Sequence, residues 1–112
     1  MNCVLKQKND VLCVYLIDKL EDSIYSKMQA EISKLIKKKN IKNILVEMEN
    51  LILLTSCGLK FLIFLSKLIK EKNGKLKLAC LSIQAKNAIL VASMDKLFEV
   101  FDNEKEALDS FA

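Results

Sequence analysis

The stretch LILLTSCGLKFLIFL, residues 51–65, constrains this chain more than any other. Two runs of leucine, isoleucine and phenylalanine flank a small centre, Thr55-Ser56-Cys57-Gly58. Such a run is either a membrane anchor or a buried strand that turns sharply into a helix. An anchor needs ~20 nearly uninterrupted apolar residues. Here Glu47 and Glu49 precede the run, Lys60 interrupts it, and Lys67 and Lys70 follow. The anchor reading fails. The turn reading puts one of only two glycines, Gly58, where another stretch of backbone can come close.

Around this turn, short apolar runs alternate with helical stripes. CVLKQK and VLCVYLI flank Asn9-Asp10 and predict a hairpin, with the second run apolar on both faces as in a strand inside a sheet. Ile24, Met28, Ile32 and Leu35 recur at helical spacing and predict a helix over 22–38. Asp22 or Ser23 is its expected cap, and Lys37 to Lys39 suit its negative end. IKNILVEM, 41–48, reads as a central strand, and a second helix is expected from Ser56 to Lys72. Asn73-Gly74 should stop it, with the glycine left-handed. KLKLACL, 75–81, begins with strict alternation and reads as a strand. Ala85, Ala88, Ile89 and Ala92 mark a third helix, Phe98 to Phe101 a short edge strand, and Asn103 the cap of a last helix. Strands separated by helices make a largely parallel sheet with right-handed crossovers. The expected fold is therefore α/β, a single domain over 1–112 with a mixed sheet of about five strands and about four helices.

Composition closes several functional classes. Hydrophobic residues make up 52% of the chain, too much for disorder. There is no histidine, so the commonest general base and the usual Ser-His and Cys-His pairs are missing. Cys3, Cys13, Cys57 and Cys80 lie far apart with no CxxC, which argues against a metal site and for reduced cysteines. No enzyme, metal or cofactor is expected. The net charge of +4 comes from lysine alone, without the arginine and tryptophan that nucleic-acid surfaces use, so no nucleic acid is expected either. The polar N-terminus carries no apolar signal core, which fits a soluble cytoplasmic protein with no membrane insertion.

Residues 46–59, VEMENLILLTSCGL, resemble the signature of the STAS domain, the fold of bacterial anti-sigma factor antagonists. Glu47 falls on the family's strand aspartate, Ser56 on its phosphorylated serine, and Gly58 and Leu59 on its Gly-Leu. Met94-Asp95-Lys96-Leu97-Phe98 and Glu104-Lys105-Glu106-Ala107-Leu108 are similar to two later family segments. The chain departs from the pattern at Thr55, where the family has aspartate, at Cys57 for its second serine, and at Ser93 for a glycine. The early Gly-x-Leu-Asp motif is matched only by Leu20-Glu21, with Asp18 in place of its glycine.

The resemblance implies a phospho-switchable module that binds an anti-sigma factor serine kinase and so releases a sigma factor, as a monomer or weak dimer. Its partner surface would combine Leu20, Glu21, Asp22 and Ser23 with Leu54, Thr55, Ser56, Cys57, Gly58, Leu59 and Lys60, and Ser56 would carry the phosphate. Physics agrees in part: a helix N-terminus favours an anion, and a phosphate there would repel a docked acidic or apolar partner. The same residues also fit a plain N-cap. Thr55 keeps open an alternative, a STAS-like accessory subunit of a transporter ATPase or larger assembly that is never phosphorylated. Cys57, near a helix start, is either a redox-sensitive thiol or an inert one.

Overall fold

The computed structural model describes residues 3–19 and 21–112. Strands β1 (Cys3–Lys8) and β2 (Val11–Leu16) form an antiparallel hairpin in which Lys8 faces Val11. Asn9 takes the left-handed conformation, φ 57°, that the tight turn demands. Strands β3 (Asn43–Glu47), β4 (Leu76–Ala79) and β5 (Glu99–Phe101) then add in parallel, giving the order β1-β2-β3-β4-β5. Helices α1 (Asp22–Lys38), α2 (Ser56–Lys70) and α3 (Ile83–Val91) make the three crossovers. Each crossover steps one strand in the same direction, so the right-handed rule puts all three helices on one face. Among the described residues the chain forms the expected mixed sheet, with five strands and four helices.

That face holds the main core. Leu12, Val14, Leu16, Ile44, Val46 and Leu78 point up from the sheet. Met28, Ile32 and Ile36 of α1 meet them, with Phe61, Leu62 and Leu65 of α2 and Ile89 of α3. The opposite face is covered by the short α4 (Glu104–Asp109), whose Ala107 packs on Val11, Cys13, Leu45 and Ala79. This explains a residue that alternation alone would place in solvent. Lys77 is only 5% exposed. Its Nζ donates to Ser110 Oγ at 2.8 Å and to the Ser110 carbonyl at 3.2 Å, and lies 4.6 Å from the Phe111 ring centroid.

Four local expectations are corrected. The residue at the α1 cap is Glu21, whose side chain makes no cap bond, while Asp22 and Ser23 lie inside the first turn. Helix α2 ends at Lys70, because the amides of Lys72 and Asn73 bond three residues back and tighten the last turn. The left-handed residue there is Asn73, φ 60°, not Gly74. Gly74 is needed for space instead: a Cβ on it would lie 1.8 Å from the Lys42 carbonyl oxygen. Strand β4 stops at Ala79 because Cys80 is itself left-handed, φ 61°. Among the described residues, no helix is long and apolar enough to cross a membrane.

Candidate functional site

Loops leaving the carboxyl ends of β2, β3 and β4 converge on the start of α2, as parallel sheets arrange. The connection from β3 to α2 has little regular structure, yet its backbone is well partnered. Buried Glu47 closes β3, and its Oε1 accepts from the Glu49 N–H at 2.5 Å. Burial pushes the Glu47 carboxyl above its ordinary pKa, against the lowering effect of that N–H. The Leu51 N–H bonds back to the Met48 carbonyl at 3.1 Å. On one flank, Asp18 N–H donates to the Asn50 carbonyl at 2.8 Å, and its carbonyl accepts from Ile52 at 3.0 Å. On the other flank, Gln84 of α3 bonds both backbone groups of Leu54.

The turn itself divides its labour between neighbours. Thr55 is the extended N-cap, and its Oγ1 accepts from the Gly58 N–H at 3.2 Å. Ser56 is the first helical residue and is exposed. The capping role that serine could have filled is therefore taken by Thr55, which leaves the Ser56 hydroxyl facing outward at the positive end of a 15-residue helix. The first turn of α2 contains no acidic residue, so nothing on the helix itself competes with an anion there.

What comes close to Gly58 is side chains, not the second backbone that the sequence led us to expect. Gly58 is buried, and a Cβ on it would lie 2.7 Å from Leu54 Cδ1 and 2.8 Å from the Tyr25 hydroxyl. Tyr25 reaches up from α1, with its ring 5.0 Å from that of Phe61. Among the described residues its buried hydroxyl has no hydrogen-bond partner of good geometry. Burial pushes it up to about 12, with the adjacent Thr55 side chain pulling the other way.

Cys57 does not have the lowered pKa that a helix start can produce. The Asp22 carboxylate beside it, with some desolvation, holds the thiol above its ordinary value, against the pull of Lys60. The thiolate is disfavoured there, which counts against the redox reading.

The remaining residues of the expected surface separate into two groups. Glu21, Asp22, Ser23 and Lys60 are exposed, and Thr55, Cys57 and Leu59 are half-buried. Leu54 and Gly58 are buried and shape the turn from beneath. Leu20 lies outside the described residues. Lys19, Glu21, Asp22, Ser23 and Thr55 line a hollow on the α1 side of the turn. On the α3 side runs a groove, lined by Leu54, Ser56, Leu59, Ile83, Ala88 and Val91, that the sequence reading missed. Ile83 and Val91 on its rim are 79% and 85% exposed. The available signal was that Ile83, Leu90 and Val91 are scattered among Gln84, Lys86 and Asn87 on the outer side of α3, where a helix with only a solvated outer face has no internal reason to carry them.

The opposite sheet face carries a second polar cluster with a structural role. Lys8 Nζ and the Tyr15 hydroxyl both bond the Glu104 carboxylate, at 2.6 and 2.5 Å. Among the described residues no group of cysteine and acidic side chains is placed to hold a metal ion.

The family model of the STAS domain matches residues 2–107. The fold is that of the anti-sigma factor antagonist SpoIIAA in its unphosphorylated form, with a TM-score of 0.87 at 17% identity, over 96% of this chain and 94% of that one. The phosphorylated form of the Bacillus protein superposes with a TM-score of 0.81 at 17% identity, over 98% and 99% of the two chains. RsbS of Moorella thermoacetica, with a serine-to-glutamate substitution, gives 0.81 at 17% identity, over 99% and 95%.

Proposed function

Because the chain belongs to the STAS domain family, we propose that it is an anti-sigma factor antagonist whose binding surface is switched at Ser56. The observation that carries the reading is the division of labour at the turn: Thr55 caps α2 and Ser56 is left exposed beside it. The unmodified surface is a ridge, the start of α2, between the hollow beside α1 and the apolar groove beside α3. An anti-sigma factor serine kinase docks over this ridge in the cytoplasm, and the sigma factor it held is released.

Phosphorylation adds about 1.5 to 2 negative charges at Ser56. The start of α2 stabilises them by roughly 0.3–1 kcal/mol at an exposed site, so the fold tolerates the modification. The docked partner does not, because the charge stands on the wall of an apolar groove and must be desolvated on binding. One covalent event thus turns an accepting surface into a rejecting one.

The absence of a carboxylate at Thr55 favours a second reading, an accessory subunit that binds through the same ridge and is never modified. Calorimetry against the cognate kinase tests the surface. Ser56→Asp should weaken binding at least tenfold and Lys38→Ala, on the far end of α1, should leave it unchanged. Wild-type affinity for both variants would show that the ridge is not the interface.

A further inference from the structure

We propose that Gln84, at the start of α3, is the positioning residue of the Ser56 turn, holding Leu54 so that α2 opens at Ser56. The inference rests on the reading of Ser56 as the switched residue. Its basis is a pair of hydrogen bonds across 30 residues of sequence. Leu54 N–H donates to Gln84 Oε1 at 2.8 Å, and Gln84 Nε2 donates to the Leu54 carbonyl at 3.1 Å. One side-chain amide therefore supplies the donor and acceptor that a neighbouring strand would otherwise give.

Leu54 is the last residue before the Thr55 cap, and its side chain is buried against Gly58. Its N–H and carbonyl would each be costly to leave unpaired in that setting. The Asp18 bonds fix the connection only as far as Ile52. The last hold before the helix is Gln84. Gln84 is itself well anchored, because Ser82 caps α3 through the Ala85 N–H at 3.1 Å, and Ala85 and Ile89 are buried beneath it. The β4 end, the α3 cap, Gln84, Leu54 and the Thr55 cap form one connected support for Ser56.

The chemistry of the amide gives a sharp test. A protonated glutamic acid has the same donor and acceptor as glutamine, whereas a carboxylate has acceptors only and would face the Leu54 carbonyl with a charge. Amide hydrogen exchange should show protection at Leu54, Gly58 and Leu59 falling at least tenfold in Gln84→Leu at pH 7, with β2 amides as the control for global stability. Gln84→Glu keeps an acceptor for the Leu54 N–H but at pH 7 has no donor for the Leu54 carbonyl, so protection should fall at Gly58 and Leu59 at pH 7 and return toward wild type as the carboxyl is protonated at pH 4 and below, a rescue that a loss of packing would not produce. Protection within twofold of wild type in both variants at pH 7 would overturn the inference and leave the Ser56 reading untouched.

A second measurement separates the two claims. Phosphoserine is incorporated biosynthetically at position 56, and its second ionisation is followed by phosphorus NMR. That ionisation, ordinarily near pKa ~6, should be lowered by the helix start and return toward the ordinary value in Gln84→Leu. An ordinary value in both proteins, with the amides still released by Gln84→Leu, would overturn the Ser56 reading while Gln84's hold on the turn stands.

Discussion

Replacing Gly58 by alanine tests whether the start of α2 is shaped by Tyr25. Alanine is intrinsically the better helix former by up to ~1 kcal/mol. Against that gain, the new Cβ would lie 2.7 Å from Leu54 Cδ1 and 2.8 Å from the Tyr25 hydroxyl, where carbon contacts settle near ~3.5–4 Å. Overpacking of this kind costs about 1–3 kcal/mol, so Gly58→Ala should destabilise the protein by roughly 1–2 kcal/mol. Tyr25→Phe removes a buried hydroxyl that has no partner of good geometry, so it should cost less than about 0.5 kcal/mol or stabilise slightly. In the double variant the hydroxyl contact is gone, and Leu54 has space into which its flexible end can turn. The double variant should recover most of the loss, giving a coupling of ~1 kcal/mol or more in a urea-denaturation cycle. Additivity within about 0.3 kcal/mol would refute the steric account of Gly58. A loss above ~1 kcal/mol for Tyr25→Phe alone would mean that Thr55 is a true partner of the hydroxyl.

Three further outcomes follow from polar groups packed against the sheet. Glu47→Gln keeps the acceptor for the Glu49 N–H and removes a carboxyl whose folded pKa is raised by burial. A raised folded pKa means stability is present below the unfolded value and lost as pH rises through the folded one, so the variant should melt higher than wild type at pH 8 and lose that advantage at pH 4. Glu104 has the opposite sign: burial opposes its charge, but the bonds from Lys8 and Tyr15 prevail and lower its pKa. The stability it contributes should fade as pH drops through that lowered value, and Glu104→Gln should flatten the acid limb of a melting-temperature profile. Lys77→Ala strips the bonds to Ser110 and the contact with Phe111, and should cost about 1–3 kcal/mol with early loss of α4 amide protection in hydrogen exchange.

The order of elements was legible because several apolar runs carried a period that one element satisfies and the others were bounded by Asn, Asp or Gly. Met28, Ile32 and Ile36 recur at helical spacing, and Leu12, Val14 and Leu16 alternate with a second buried set. The turn at Thr55-Ser56-Cys57-Gly58 was legible for a different reason, a small centre between long apolar runs. What was hidden depends on contacts distant in sequence. Gln84 reads as an ordinary polar residue on a short helix until α3 is set beside Leu54. Lys77 reads as a solvated position because strict alternation cannot show that α4 covers the second face. At Asn73-Gly74 the stop was visible, but sequence could not divide it: the turn needs a left-handed residue and a residue without a Cβ, and these are different positions.

The most direct test of the switch is to incubate the protein with its cognate anti-sigma factor kinase and ATP, map the product by mass spectrometry and measure binding before and after. One phosphate is expected, on exposed Ser56, with binding that falls at least tenfold once it is present. Phosphate only on Thr55, which caps α2, or on half-buried Ser66, would contradict this, as would an unmodified protein that binds its partner undiminished.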